Sequence, residues 1–152
     1  MNLDIDAAVE RAASKLSRSD KLAGEIAHDL ATKGFPSEVI ETTLERLRRA
    51  GVLDDRRVIR QRVSVAIQKG NASRAGLTAK LESQGADPFD AQTALNELFP
   101  SELEPQLIRN ILKKKYHQTE QSQKAGRYLA SLGFDPSLIE SELSRYFESD
   151  AL

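Results

Sequence analysis

Apolar residues recur along this chain at intervals of three and four, and the pattern is laid down three times. Ile26 and Leu30 precede Gly34, Leu77 and Leu81 precede Gly85, and Ala125 and Leu129 precede Gly133. After the three glycines come Ile40, Leu44 and Leu47; Ala91, Leu95 and Leu98; and Ile139, Leu143 and Tyr146. Such spacing marks one buried stripe on an α-helix. Ahead of each pair, at matching offsets, stand Ala8 and Ala12, Ile59 and Val63, and Leu107 and Ile111, so the unit has three helices. The pattern predicts helices over 4–16, 20–33, 37–50, 54–69, 73–84, 88–98, 101–117, 119–132 and 136–148. No run alternates apolar and β-branched polar residues, and no Asn-Gly or Asp-Gly hairpin signal joins apolar runs, so no strand is expected.

The segments around the glycines repeat as sequence too. Ala31-Thr32-Lys33-Gly34-Phe35-Pro36-Ser37 returns as Ala130-Ser131-Leu132-Gly133-Phe134-Asp135-Pro136, with a weaker copy at Gln84-Gly85-Ala86-Asp87-Pro88. The glycines lie 51 and 48 residues apart, a period typical of stacked helical units. Each glycine can take the left-handed conformation that closes a helix, and the residue after it can fold back on that helix. Asp87-Pro88 and Asp135-Pro136 then offer an N-cap acceptor before a proline at the first helical position, and in the first copy Ser37 is the expected cap. Ser19-Asp20, Asp54-Asp55, Ser73 and Ser101 are the other start signals. The fold class expected is all-α: an elongated, curved array of three tandem three-helix repeats, 1–52, 53–99 and 100–152, forming one continuous array.

Composition changes this picture little. Aromatics are only 5% of the 152 residues, which suits several small cores better than one large one. The absence of Cys excludes disulfides and thiolate metal sites. No apolar run approaches the roughly 20 residues of a membrane span, and Met1 is followed by Asn-Leu-Asp rather than a basic and apolar targeting segment, so no membrane association and a cytoplasmic location are expected.

Charge changes it more. The formal net charge is -1, yet residues 46–80 carry ten basic residues against Asp54 and Asp55: Arg46, Arg48, Arg49, Arg56, Arg57, Arg60, Arg62, Lys69, Arg74 and Lys80. Residues 81–104 then hold six acids and no base, and a second basic block, Arg109, Lys113, Lys114, Lys115, Lys124 and Arg127, opposes only Glu120. Arg46/Arg49 and Arg56/Arg60 recur at helical spacing, which lines each pair up on one surface. Any one such residue is ordinarily a solvated face. A cluster of them also suits a polyanionic partner, because guanidinium offers paired donors to phosphate or carboxylate, and both readings stay open.

Other chemistry is sparse. His28 and His117 lie far apart, without Cys or a second ligand at metal spacing, and read as surface histidines. Asp54-Asp55 is explained by a helix N-cap with one further acid in the first turn. Lys69-Gly70 lacks a glycine-rich phosphate loop. With no catalytic constellation, no cofactor and no metal site, the chain does not read as an enzyme.

The segment from Glu25-Ile26 through Lys33-Gly34-Phe35 to Val39-Ile40, followed by Gly51-Val52-Leu53-Asp54-Asp55-Arg56-Arg57, resembles the signature of the RecX family of bacterial recombination regulators. The resemblance continues through Lys69-Gly70, the Arg74 to Gly85 helix, Ile111-Leu112-Lys113-Lys114, and Lys124 to Arg127 with Tyr128-Leu129 and Gly133-Phe134, so it spans about residue 20 to the C-terminus. Three positions depart from it: Leu22 where Ser is common, Val58-Ile59 for Phe-Ala, and Gly126 where a larger residue is usual, a helix-interior glycine costing about 1 kcal/mol against Ala.

The resemblance implies a monomeric modulator of homologous recombination, DNA repair and the SOS response. Such a protein binds the RecA recombinase filament on single-stranded DNA and inhibits its ATPase, strand-exchange and coprotease activities. The residues expected at the contact are Arg56, Arg57, Arg60 and Arg62 on the helix from Asp55 and the Lys113, Lys114, Lys115 end. Arg46, Arg49, Lys69, Arg74, Arg109, Lys124 and Arg127 extend that surface. The alternative is a regulator of helix-turn-helix type that binds single-stranded or duplex DNA directly. Against it, none of the three hairpins ends in a helix rich in Asn, Gln and Arg. A scaffold without any nucleic-acid link is a third reading.

Overall fold

The computed structural model describes residues 2–151. Met1 and Leu152, the outermost residues of the first and third expected repeats, lie outside them. The described residues form α1 (Asn2–Arg18), α2 (Ala23–Thr32), α3 (Ser37–Arg49), α4 (Asp55–Lys69), α5 (Arg74–Ser83), α6 (Pro88–Leu98), α7 (Leu103–Lys115), a 3-10 turn (Thr119–Gln121), α8 (Ser122–Ser131) and α9 (Pro136–Ala151). No strand occurs among them. The leading and central stripes are buried in all three copies, and of the third helices α3 buries the whole expected face, Ile40, Leu44 and Leu47.

The glycine turns close their helices as the sequence predicts. Gly34, Gly85 and Gly133 have φ of 92°, 99° and 93°, a region that suits glycine alone. In each turn the next residue donates its N–H to a carbonyl five residues back: Phe35 to Leu30 at 3.1 Å, Ala86 to Leu81 at 2.9 Å and Phe134 to Leu129 at 3.3 Å. This is the Schellman arrangement, which satisfies carbonyls that a helix end would otherwise leave orphaned. Gly51 repeats it after α3, with φ of 73° and Val52 donating to Leu47 at 3.0 Å.

Helix starts follow the expected caps at four places and depart from them at others. The carboxylates of Asp54, Asp87 and Asp135 accept from the N–H groups of Arg57, Asp90 and Leu138 at 3.3, 3.1 and 3.2 Å, and the Ser73 hydroxyl accepts from Gly76 at 2.9 Å. Helix α2 instead begins at Ala23, so Ser19-Asp20 is not its cap. Leu22 stands in the cap position and has no side-chain acceptor; its own N–H donates to the Glu25 carboxylate at 2.9 Å. The N–H of Ala23 donates to Asp55 Oδ1 at 2.8 Å, so an acid 32 residues away supplies the missing acceptor. The cap of α3 is Pro36, not Ser37, which is already the first helical residue. Proline's extended backbone sets the entry there without a side-chain acceptor. Helix α7 starts at Leu103 rather than at Ser101, because the N–H of Leu103 closes a turn onto the Pro100 carbonyl at 3.0 Å.

Two compact units result: Met1–Gln61 with Leu81–Ala91, and Arg62–Lys80 with Gln92–Leu152. In the first unit Ala8, Ala12, Ala23, Ile26, Leu30, Ile40, Leu44, Leu47 and Leu53 form one apolar core, with Leu16, Ala27, Phe35 and Val39 packed against it. Arg11 grips Asp29 by two bonds, 3.0 and 3.1 Å, and Lys15 adds a third contact at 3.2 Å, tying α1 to α2. The hydrogen bond from Arg11, opposed by partial burial and aided by Lys15, lowers the Asp29 carboxyl from its ordinary 3.8 to about 2. In the same unit the first turn of α2 meets the glycine turn after α5 backbone to backbone: a Cβ built on Gly24 would lie 3.6 Å from the Gly85 Cα.

The second unit contains the same joint in a tighter form. A Cβ on Gly76, in the first turn of α5, would fall 2.4 Å from the Leu132 carbonyl oxygen, and one on Gly133 would fall 3.1 Å from the Gly76 nitrogen. The Ser73 hydroxyl donates to that same Leu132 carbonyl at 2.7 Å, so it caps α5 and fastens the joint together. Arg74 binds the end of α6: its guanidinium donates to the Leu95 and Phe99 carbonyls, both at 3.2 Å, and to the Gln92 and Asn96 side chains.

Helix α9 packs on α7 differently from the expected stripe. Ile139, Glu142 and Phe147 are its buried residues, while Leu143 and Tyr146 are half-buried. The Tyr146 hydroxyl reaches the Tyr116 and Leu112 carbonyls at 2.7 and 3.2 Å, and so serves the C-terminal end of α7. Glu142, 3% exposed, takes one hydrogen bond from Arg109 at 3.1 Å on its Oε1, while its Oε2 is buried without a partner in this structure. Gly126 faces this helix, and a Cβ there would press on Leu143 Cδ1 at 3.3 Å.

These contacts set three expected effects on stability, each readable by denaturant unfolding. Gly34→Ala meets open space and incurs only backbone strain, about 1–2 kcal/mol, whereas Gly133→Ala adds a collision with the Gly76 backbone and destabilises more. Arg109→Met leaves buried Glu142 only the longer 3.9 Å contact to Arg145 and costs about 3 kcal/mol, the low end for such pairs because Arg109 is partly exposed and Arg145 remains, and adding Glu142→Met restores most of the loss. Because folding depresses the Asp29 carboxyl, its contribution is complete above its unfolded value of 3.8 and is lost as pH falls towards about 2. Asp29→Asn is therefore less stable than wild type at neutral pH, and the difference closes across that window.

Candidate functional site

The basic residues singled out in the sequence divide between surface and interior. In the first unit Arg46, Arg48 and Arg49 occupy the last turn of α3, where positive charge also complements the helix dipole. All three are exposed. Arg48 and Arg49 pair within the helix with Glu45 at 3.9 and 3.2 Å, and Arg46 lies 4.0 Å from Asp6. At the start of α4, held by the Asp54 cap and by the reach of Asp55 to α2, Arg56 approaches Asp90 at 3.4 Å and Arg57 approaches Asp20 at 3.6 Å. Arg60, one turn further along α4, is exposed. Pairs as exposed as these contribute little to stability and leave the cations accessible to a larger anionic partner.

In the second unit the structure separates two groups. Arg74 and Arg109 are engaged by the fold, the first with the end of α6 and the second with buried Glu142 and, at 3.2 Å, with Gln106. Arg62 is half-buried on α4 and Lys69 is exposed at its end. Lys113, Lys114, Lys115, Lys124 and Arg127 lie on α7 and α8, and all five are exposed. The last turn of α7 meets α8 at an aromatic pair: the Lys115 ammonium lies 4.1 Å from the centre of the Tyr128 ring, and the Tyr116 and Tyr128 rings are 6.5 Å apart. A cation over a ring face is held by the ring's quadrupole, so Tyr128 fixes one lysine of the cluster in place.

Charge alone does not single out Tyr128. Its signal in the sequence is the interleaving of basic and aromatic residues in Lys113-Lys114-Lys115-Tyr116 and Arg127-Tyr128. Of the two histidines, His28 and His117, neither is buried, and Asp54 and Asp55 are accounted for by the two helix starts they serve. No helix among the described residues is long and apolar enough to cross a membrane. The arrangement is suited to binding: exposed ammonium and guanidinium groups on helix ends attract carboxylates or phosphates with a strong dependence on salt.

Comparison with known proteins agrees with this architecture. A family profile described as the first three-helix domain of RecX matches residues 8–47. Regulatory protein RecX of Treponema pallidum (strain Nichols) is 32% identical over 124 residues, covering 82% of this chain and 76% of that protein. Its counterpart from Pseudomonas fluorescens is 30% identical over 146 residues, covering 93% and 94%. The crystal structure of RecX from Lactobacillus salivarius superposes over the whole of both chains with a TM-score of 0.81 at 17% identity. A second crystal structure, of regulatory protein RecX, covers 90% of this chain and 70% of its own with a TM-score of 0.75 at 22% identity. The two solved structures establish the shared fold, and the sequence identity sustained over more than four-fifths of its length shows that the chain belongs to the RecX family of regulatory proteins.

Proposed function

We propose that this chain binds the RecA filament on single-stranded DNA and holds back its ATPase, strand-exchange and coprotease activities, acting as a monomer in the cytoplasm. The observation that carries the reading is family membership sustained along the chain. The exposed basic helix ends support it, because a filament of protein wound on nucleic acid presents both carboxylates and phosphates. Three repeats, 1–52, 53–99 and 100–152, are the proposed units of binding, and the recurrence of the same glycine turn in each supports that division.

Within this reading Arg56, Arg57 and Arg60 on α4, and Lys113, Lys114, Lys115, Lys124 and Arg127 around Tyr128, form the contact surfaces. Arg46, Arg49, Arg62 and Lys69 extend them. Arg74 and Arg109 support the surface from within through their contacts with α6 and Glu142. The proposed mechanism is electrostatic capture followed by occupation of the filament, so it weakens as salt screens the charges.

The test is the rate of ATP hydrolysis by RecA on single-stranded DNA as the protein is titrated in below stoichiometry. A dose-dependent fall is expected. Reversing Lys113, Lys114, Lys124 and Arg127 to Glu is expected to raise the concentration for half-inhibition about tenfold or more, since each lost charge contact removes up to ~1 kcal/mol. Unchanged ATPase rates combined with salt-sensitive binding to duplex DNA alone transfer the assignment to a direct DNA-binding regulator.

A further inference from the structure

Exposed cations at the helix ends of this chain are of two kinds, divided by whether a carboxylate stands beside them. In the first unit the arginines at the end of α3 and the start of α4 each have one: Glu45 serves Arg48 and Arg49, while Asp6, Asp90 and Asp20 lie by Arg46, Arg56 and Arg57. In the second unit Lys113, Lys114, Lys115, Lys124 and Arg127 are all exposed, and none of the five has a carboxylate partner among the described residues. Glu120 is the one acid between residues 105 and 134. On the neighbouring α9, buried Glu142 is taken by Arg109 and Arg145. The needs of the helices do not account for this surplus. Lysines in the last turn of α7 complement its dipole, but Lys124 lies in the first turn of α8, where the dipole disfavours a cation and no acid offsets it.

The unpaired charges surround an aromatic ring. The Lys115 ammonium lies 4.1 Å from the centre of the Tyr128 ring, which brings the end of α7 against the middle of α8. Lys124 stands one turn before Tyr128 on the same face of α8, and Arg127 is three residues on from Lys124. Tyr128 is half-buried. An acidic protein would neutralise the lysines and leave the ring unused, whereas a nucleic-acid strand brings phosphates for the cations and a flat base for the tyrosine. An ammonium over an exposed ring is held more weakly than a stacked base, so a base takes its place and frees Lys115 for a phosphate. A duplex keeps its bases stacked on one another, and the fit is to a single strand.

We propose that the corner between α7 and α8 is a single-stranded DNA site, with phosphates on Lys115, Lys124, Arg127 and the adjoining Lys113 and Lys114, and one base stacked on Tyr128. This rests on the filament reading above for the source of the strand, and it separates the two basic surfaces: the paired arginines of the first unit exchange carboxylates with a protein, and the unpaired cations of the second take the nucleic acid.

The experiment measures binding of a fluorescent oligothymidylate to the full chain without RecA, across a series of salt concentrations, with unlabelled duplex and poly-glutamate as competitors. Wild type is expected to give a slope of log affinity against log salt of about -3, for roughly four phosphates neutralised on a single strand. The double variant Lys124→Gln with Arg127→Gln is expected to unfold within a few degrees of wild type and to show about half that slope. Tyr128→Leu is expected to bind about fivefold more weakly or worse at an unchanged slope, while Tyr128→Phe binds as wild type does. The assignment is overturned by absence of binding at low salt, by indifference to both the charge and the Tyr128→Leu changes, or by duplex binding as tight as that of the strand. Displacement by poly-glutamate as effective as that by unlabelled strand overturns it too, and puts the partner among acidic proteins. RecA ATPase on single-stranded DNA, measured alongside, tells the two readings apart. A wild type that inhibits RecA without binding the strand loses this site and keeps the filament reading, and one that binds the strand and leaves RecA untouched keeps the site and loses that reading.

Discussion

Contact between two stretches of backbone, with no side chain between them, is the constraint on which this fold depends. The first turn of α2 lies on the Gly85 turn, and the first turn of α5 lies on the Gly133 turn, each through a pair of glycines. At the tighter joint only residues without a Cβ permit the approach of Gly76 to Gly133, whereas at Gly24 and Gly85 a Cβ would make ordinary contact, and at both turns φ near 90–100° favours glycine independently. Two separate requirements therefore converge on Gly133. The helices around these joints inherit their register from this contact, because a packed helix cannot slide without one glycine losing its partner. The apolar stripes then fill the space the joints define, with side chains no larger than Leu and Ile over most of the interior.

Polar interactions inside the units follow the same economy. Asp55 leaves the local capping to Asp54 and serves the start of α2, and Ser73 serves both its own helix and the Leu132 carbonyl. Arg74 and Arg109 do for helix α6 and for buried Glu142 what a sequence reading assigns to an external partner. Charge in this chain thus has two uses, and burial separates them: basic residues that meet carbonyls or a buried carboxylate belong to the fold, and those at the exposed ends of α3, α7 and α8 belong to the surface. An anion approaching the protein encounters chiefly the second group.

Most of the fold was legible because helix periodicity and turn chemistry agree. The stripes at Ile26/Leu30, Leu77/Leu81 and Ala125/Leu129 and the glycines behind them give the same helices by independent routes. What stayed hidden was long-range. Nothing near Leu22 announces that its helix will be capped from residue 55, and nothing in Ser101 shows that the chain will turn once more before α7. The surface was less legible than the fold, since a lysine or arginine in a sequence carries the same charge whether it lies in water or grips a carbonyl. Arg74 and Lys113 cannot be told apart without knowing that α6 ends beside the first. Glu142 is the converse case, an acid on an expected polar face that the packing of α9 takes inside.

The turn at Gly34 has the same conformation as those at Gly85 and Gly133, yet open space surrounds the position where its Cβ would stand. It is a socket of the kind that elsewhere in the molecule receives the glycine-bearing start of a helix. The third helical hairpin differs in the other sense: the first turn of α8 reads Ser122-Gln123-Lys124 and offers no glycine to insert into another turn. One turn conformation thus serves two purposes in this chain: at Gly85 and Gly133 it is a seat for the start of another helix, and at Gly34 it does no more than end its own.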